Sequence, residues 1–153
     1  MPNAIPDNYP RVSANLTVQG GADAIAFYRA VFGATVRGEA FTLPDGTVAH
    51  AELSIGDSLI TLADENPDFG NKGPKSIGGT PVILMIYVED VDATVKLAVD
   101  KGATQEAEVK DEFYGDRVGM ITDPFGHAWH VASHVEDVSD EEMQRRMSEL
   151  FAG

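Results

Sequence analysis

The sequence predicts an α+β protein in which one βαβββ unit occurs twice, and two observations lead to this prediction. Residues 12–63 and residues 82–132 show the same order of patterns: one alternating strand pattern, one helical pattern and three further strand patterns. The glycines that end helices and form turns recur at an offset of 69 or 70 residues, in the pairs Gly33 and Gly102, Gly46 and Gly115, and Gly56 and Gly126. The shared order and the near-constant offset indicate two structural copies of one unit.

The chain begins with an arm that we expect to be extended, followed by the first strand and the first helix. Residues 1–10 include Pro2, Pro6 and Pro10, and proline disfavours both helices and central strands. Residues 12–18 alternate between apolar and polar side chains, which is the pattern of a half-buried strand. Apolar residues then recur at helical spacing over 21–32, where we expect a helix.

Three strand patterns complete the first copy, at 35–43, 47–55 and 58–63. A two-residue turn at 56–57 predicts a hairpin that pairs Ile55 with Ser58. In that register Glu52 lies opposite Thr61. The alternation of the middle strand directs four side chains away from its apolar face, namely Val48, His50, Glu52 and Ser54.

A long segment at 64–79 separates the two copies. It is rich in glycine and proline and has no apolar period, so we expect a loop that is either functional or mobile. The second copy repeats the order of the first, with a strand at 81–88, a helix at 91–101, a strand at 104–113 and a hairpin at 116–134.

The final hairpin has the clearest turn chemistry of the chain, in the run Asp123-Pro124-Phe125-Gly126. The strand after it alternates, which directs Trp129 and Val131 to the core and His130 and His134 to the opposite face. We expect one apolar face on this hairpin and one face that carries two imidazoles.

The last segment predicts a helix at 137–151. Ser139 and Glu142 have the spacing of a capping box, and an apolar stripe follows them. We therefore expect a single domain in four parts: a first module at 10–64, a linker loop at 65–80, a second module at 81–135 and a C-terminal helix at 136–153.

Composition narrows the function classes. The 153-residue chain carries a net charge of −14, which would repel a phosphate backbone or an anionic membrane surface, so we expect no nucleic-acid or membrane partner. The longest apolar run, at 82–88, is far too short to span a bilayer. Cysteine is absent, which excludes disulfides, thiolate metal sites and a cysteine nucleophile and fits a cytoplasmic location.

Three segments carry a resemblance to a known family: FYRAVFGA at 27–34, HAEL at 50–53 and the run DPFGHAW at 123–129. Together with the paired modules they resemble the vicinal oxygen chelate superfamily, in its glyoxalase/bleomycin-resistance branch, close to the PhnB-like proteins. The resemblance implies that the modules form a curled mixed sheet around a cleft, with helices on the outer faces. It also implies a homodimer, because many members are dimers.

The same resemblance locates the positions that hold metal ligands in the superfamily. They fall here on Ser13, Ile83, His130 and Thr61, or on Ile60 in place of Thr61 if the glycines are aligned. His130 is the one good ligand of this set, since isoleucine does not ligate and neutral hydroxyls are poor ligands. We therefore expect no metal and no cofactor, and a divalent metal is the alternative.

The function hypotheses depend on the face of the sheet that lines the predicted cleft. The residues expected to line it are Ser13, Asn15, His50, Glu52, Thr61, Ile83, Tyr87 and His130. The first hypothesis is a protein that binds or sequesters a small organic compound, aromatic compounds included, without a metal. The alternative is a metal-dependent lyase or isomerase of the glyoxalase type, or a dioxygenase, with an atypical site. Catalytic candidates are His50, Glu52 and His130, and the sequence leaves open whether the protein is an enzyme. Phe41, Phe113 and Tyr114 either pack in the core or edge the cleft.

Overall fold

The computed structural model describes residues 1–152, and two compact units account for them. The first unit is Met1–Thr80 and the second begins at Pro81. Each unit contains a mixed sheet with one parallel strand pair, and each follows the predicted order of strand, helix and further strands. The α+β class and the repeated order of strand, helix and further strands are therefore confirmed, and the second unit has the βαβββ order itself.

The first unit has the sheet order β1-β5-β4-β2, with β3 also paired to β4. Its elements are β1 (Ala14–Val18), α1 (Gly21–Phe32), β2 (Thr35–Val36), β3 (Phe41–Thr42), β4 (Val48–Ile55), β5 (Ser58–Asp64) and the short helix α2 (Pro74–Ile77). Strand β1 runs parallel to β5, and the other pairs are antiparallel. The predicted single strand at 35–43 is wrong, because Gly38 takes a φ of 62° and divides it into β2 and β3.

The hairpin of β4 and β5 has the predicted register: Ile55 pairs with Ser58, and Glu52 lies opposite Thr61. The predicted orientation of Val48 is wrong. The pairing with β3 steps from His50 directly to Val48, so a β-bulge interrupts the alternation of β4. Val48 is consequently buried against α1, where a Cβ atom on Gly21 would lie 2.7 Å from the Val48 Cβ.

Helix α1 covers one face of the first sheet with an aromatic cluster. The rings of Phe27 and Tyr28 meet edge to face at 5.5 Å between centroids, and Tyr28 stacks on Phe32 at 6.1 Å. Tyr28 is fully buried. Helix α1 therefore removes the apolar face of the first sheet from water. The polar residues of β1, β4 and β5 alternate with the apolar ones and lie on the opposite face.

The segment between the two predicted modules is more ordered than expected. It contains a 3-10 turn at Pro67–Phe69 and the helix α2. The Glu65 carboxylate accepts hydrogen bonds from the Gly73 amide at 2.6 Å and from the Gln19 side chain at 3.3 Å. The bond to Gly73 folds the segment on itself, and the bond to Gln19 attaches it to the residue that follows β1.

The second unit has the sheet order β6-β9-β8-β7, with β6 parallel to β9. Its elements are β6 (Ile83–Tyr87), α3 (Val91–Asp100), β7 (Thr104–Asp111), β8 (Asp116–Thr122), β9 (Ala128–His134) and α4 (Asp140–Phe151). Helix α3 packs on one face of this sheet: a Cβ atom on Gly119 would lie 2.9 Å from a methyl group of Val95.

The turn between β8 and β9 is organised by the buried carboxylate of Asp123. One oxygen accepts from the amides of Phe125 and His127, at 2.9 and 3.0 Å, and the other accepts from the Trp129 indole at 2.9 Å. Trp129 is therefore held on the α3 side, as predicted, and strand alternation directs His130 to the opposite face.

Helix α4 begins with the predicted cap, since the Ser139 hydroxyl accepts from the Glu142 amide at 3.1 Å. The second half of the predicted capping box is replaced by ion pairs, because the Glu142 carboxylate binds Arg145 and Arg146. These guanidinium groups lower the pKa of Glu142 to about 2. Within residues 1–152, no helix is long and apolar enough to cross a membrane.

Candidate functional site

A row of three polar residues crosses the face of the first sheet that α1 leaves uncovered. The register places Asn15 of β1 beside Thr61 of β5, and Thr61 beside Glu52 of β4. Ala51 and Leu53, the neighbours of Glu52 along the strand, are fully buried, so Glu52 points away from the helix. Strand pairing thus brings together three of the predicted lining residues.

The Glu52 carboxylate is bound by a residue that the strand patterns did not indicate. The hydroxyl of Tyr9 donates to both carboxylate oxygens, at 2.9 and 3.0 Å. His50 Nε2 lies 3.8 Å from the nearer oxygen. The hydrogen bond to Glu52 raises the pKa of Tyr9, so the phenol remains protonated and donates at neutral pH. The predicted pair of His50 and Glu52 is present, with Tyr9 as the closer partner of the carboxylate.

Arg37 and Phe41 border this polar row. The Arg37 guanidinium lies over the Tyr9 ring at 4.6 Å from its centroid and donates to the Asn8 carbonyl at 3.1 Å. The ring of Phe41 lies 6.4 Å from the His50 ring, and 68% of Phe41 is exposed. Core packing, one of the two interpretations left open for Phe41, is therefore excluded.

The corresponding face of the second sheet is more apolar. Its middle row consists of Met85 on β6, His130 on β9 and Met120 on β8. Ile83 and Tyr87, on either side of Met85 along β6, are 54% and 60% exposed. Trp129 and Val131, the neighbours of His130 along β9, are buried, so the half-buried imidazole points to this face.

A buried carboxylate with two polar partners lies at the end of the same face. Asp116 is 4% exposed, and its oxygens bind the Tyr87 hydroxyl at 2.7 Å and His134 Nδ1 at 2.8 Å. His134 Nε2 reaches Asp137 at 2.7 Å. The bond to Asp116, followed by the bond to Asp137, raises the pKa of His134. Asp116 also raises the pKa of Tyr87.

Sequence reasoning placed Tyr87 in the site but did not include Asp116. The signal was present in the hairpin, since a turn at 123–126 makes Asp116 the cross-strand partner of His134. The predicted lining residues divide between the units: Ser13, Asn15, His50, Glu52 and Thr61 lie in the first, and Ile83, Tyr87 and His130 lie in the second. The meeting of the two groups in one cleft stays a prediction.

The sequence also matches a described protein family. The model of the Glyoxalase/Bleomycin resistance protein/Dioxygenase superfamily matches residues 12–131. This chain belongs to that superfamily. The assignment agrees with the resemblance carried by the paired modules and by the DPFGHAW run.

Several other proteins are similar to this chain in sequence or in fold. A Mycobacterium bovis protein is 40% identical over 142 residues, which cover 91% of this chain and 93% of the relative. The crystal structure of an Arabidopsis thaliana gene product is 31% identical with a TM-score of 0.66, covering 81% of this chain and 98% of that chain. A PhnB protein from Bacillus cereus has a TM-score of 0.64 at 14% identity, with coverages of 81% and 99%, and supports the fold alone.

The donor atoms at the superfamily's expected ligand positions do not fit a divalent transition metal. Ser13 is an exposed neutral hydroxyl, Thr61 is a hydroxyl in the polar row, and Ile83 is apolar. His130 supplies one imidazole, whereas zinc sites use three or four protein ligands. Within the described part of the chain, no three His, Asp or Glu side chains are arranged to hold a metal ion.

Proposed function

We propose that this superfamily member binds a small organic compound, aromatic in part, and holds it without a metal ion. The observation that carries the proposal is the strip along β6. Ile83, Met85 and Tyr87 lie on one face of this strand, and each is more than half exposed. A contiguous exposed apolar strip is typical of a binding surface.

Polar groups beside the strip give a ligand its orientation. The His130 imidazole lies next to Met85 on the neighbouring strand, and Asp116 holds the Tyr87 hydroxyl at one end. A mainly apolar surface with a few placed polar groups is the usual composition of a small-molecule site. The donor set at Ser13, Thr61 and Ile83 supports binding without a metal.

The test combines a thermal-shift screen of small aromatic compounds with calorimetry on the compound that raises the melting temperature most. His130→Ala should weaken its binding by about 1–3 kcal/mol, the cost of a lost buried polar contact, with folding nearly unchanged. His127→Ala removes an imidazole from the turn that precedes β9, so it serves as the matched control. Equal affinity of the His130→Ala variant and the wild type for every compound would contradict the proposal.

The alternative, a metal-dependent lyase, isomerase or dioxygenase with an atypical site, has one observation in its favour. His50 Nε2 and Glu52 Oε1 lie 3.8 Å apart, and both groups ligate metals. Metal analysis of purified protein discriminates between the hypotheses. About one tightly held divalent ion per chain, lost in His130→Ala or Glu52→Gln, would favour the enzyme.

We also propose that the protein acts as a homodimer in the cytoplasm. Helix α4 exposes Leu150 and Phe151 at 62% and 78%, and this apolar end is a candidate contact surface. Light scattering at micromolar concentration measures the assembly directly. A monomeric mass would contradict this part of the proposal.

A further inference from the structure

The N-terminal arm places a tyrosine on the polar face of the first sheet. Residues 1–10 are all exposed, yet the Tyr9 side chain contacts β4 through Glu52 and lies beneath Arg37. The Tyr9 amide also donates to the Pro6 carbonyl at 3.3 Å, which turns the arm just before the ring. An exposed segment is therefore attached to the sheet chiefly at one aromatic side chain and at the neighbouring Asn8 carbonyl.

The groups around Tyr9 are suited to a neutral aromatic hydroxyl. The Glu52 side chain is 21% exposed, and an ionised carboxylate accepts stronger hydrogen bonds than a neutral oxygen does. The Arg37 guanidinium covers the ring face, where the π electrons attract a cation. The Arg37 amide donates to the Glu52 carbonyl at 2.9 Å, so the backbones that carry these two groups are joined.

We propose that Glu52 and Arg37 form a subsite for a phenolic ring, which Tyr9 of the N-terminal arm fills when no ligand is bound. This inference rests on the proposed function, because it names the chemical class of compound that is bound. The ligand's hydroxyl replaces the Tyr9 hydroxyl on the Glu52 carboxylate, and its ring replaces the Tyr9 ring beneath Arg37. The exposed Phe41 ring and His50 border the same place and extend the aromatic surface.

Tethering makes Tyr9 a competitor at high local concentration. A side chain tethered through a short segment has an effective concentration on the order of millimolar, so it excludes weak ligands without preventing the binding of strong ones. The apparent affinity of a free phenol is reduced by the fraction of molecules in which the arm is closed. Aromatic compounds that carry a carboxylate or phenolate group in place of the neutral hydroxyl should bind more weakly, because Glu52 would repel the negative charge.

The experiment uses the full chain and p-cresol, which is the tyrosine side chain as a free molecule. Its binding is followed by amide NMR shifts in the wild type, in Tyr9→Ala and in Tyr9→Phe. If the arm is closed about 80–90% of the time, Tyr9→Ala should bind p-cresol about five- to tenfold more tightly than the wild type. Toluene competes with the same arm and should gain by a similar factor, but it lacks the hydroxyl and should bind Tyr9→Ala more weakly than p-cresol does.

A second substitution tests whether the Glu52 carboxylate accepts the hydrogen bond from p-cresol. In the Tyr9→Ala background, Glu52→Met keeps a side chain of similar length but removes the carboxylate, and it should abolish the gain for p-cresol without affecting toluene. Glu39→Met makes the same change at an exposed position of the same unit and should leave p-cresol binding intact. Thermal melting of each variant establishes that it is folded.

Equal p-cresol affinity in the wild type and Tyr9→Ala would overturn the inference, as would a gain that survives Glu52→Met. Tyr9→Phe keeps the ring and removes only the hydroxyl, so it gives the same answer if Tyr9→Ala fails to fold. The proposed function is tested separately through His130, in the second unit. A compound whose binding depends on His130, together with no effect of Tyr9, would contradict the phenol subsite alone.

Discussion

The His134 imidazole and the Asp116 carboxylate face each other across the β8–β9 hairpin, with 2.8 Å between Nδ1 and Oδ1. Asp116 is buried, whereas His134 is exposed and also reaches Asp137. The imidazole therefore lies between two carboxylates, and Tyr87 occupies the second oxygen of Asp116. This arrangement leads to the first prediction.

Stability should depend on the protonation of His134. Its pKa is raised above the ordinary value of 6.5, first by Asp116 and then by Asp137. A raised folded-state pKa contributes stability that is complete below about 6.5 and is lost as pH rises through the higher folded value. Denaturant unfolding between pH 5.5 and 8.5 should show a wild-type advantage over His134→Gln that shrinks with rising pH. Parallel curves for the two proteins would contradict this.

A second prediction concerns Asp64, which joins three backbone segments. One carboxylate oxygen accepts from the amides of Gly20 and Gly21, both at 2.8 Å, and the other accepts from the Val48 amide at 2.8 Å. Asp64→Ala leaves these donors without their carboxylate at the start of α1, so we expect a loss of about 2–3 kcal/mol of unfolding free energy. Urea unfolding measures it, with exposed Asp68→Ala as the control; equal losses in the two variants would contradict the argument.

A third prediction concerns Gly21→Ala, which should destabilise the protein although the same change stabilises an open helix. In an open helix, Gly→Ala gains about 0.5–1 kcal/mol from propensity. Here an added Cβ would lie 2.7 Å from Val48 Cβ and 2.8 Å from Asp64 Oδ2, so overpacking should cost about 1–3 kcal/mol and reverse the sign. Gly21→Ala should lower the urea midpoint, and a raised midpoint would contradict the close packing of α1 on β4.

The hairpins were the part of the fold that local pattern predicts best. A two-residue turn determines the register of β4 and β5, so Glu52 and Thr61 could be paired from the sequence. The turn at Asp123 likewise determines the face of His130. Both inferences need only the spacing between a turn and a strand residue.

Two features of the first unit were not predicted, because neither changes the periodic pattern of apolar residues in the sequence. A β-bulge adds one residue without changing composition, so the burial of Val48 against α1 was not visible in the alternation. Tyr9 and Glu52 are distant along the chain, and a proline-rich arm has no period that would place Tyr9 on a strand face. The partners of the candidate site therefore emerge only when the strands are assembled.

The last prediction concerns how α4 is attached to the second unit. No residue of this helix is buried, so polar contacts have an unusually large part in its attachment. Arg146 donates to the Phe113 carbonyl at 3.0 Å and pairs with Glu136 at 2.7 Å, outside the helix, whereas Arg145 pairs within the helix. Arg146→Ala should therefore loosen the helix from the sheet, and Arg145→Ala should not.

Hydrogen exchange followed by mass spectrometry separates these outcomes. Arg146→Ala should raise exchange over residues 139–151 by a larger factor than Arg145→Ala does, while β8 and β9 keep their protection. High salt should have a similar effect on the wild type, because exposed ion pairs are screened. Within the helix, Arg145→Ala loses the ion pairs to Glu142 and Glu149 and Arg146→Ala loses the pair to Glu142, so weaker helix formation alone would raise exchange at least as much in Arg145→Ala. Equal exchange would therefore show that the Phe113 and Glu136 contacts do not hold α4 in place.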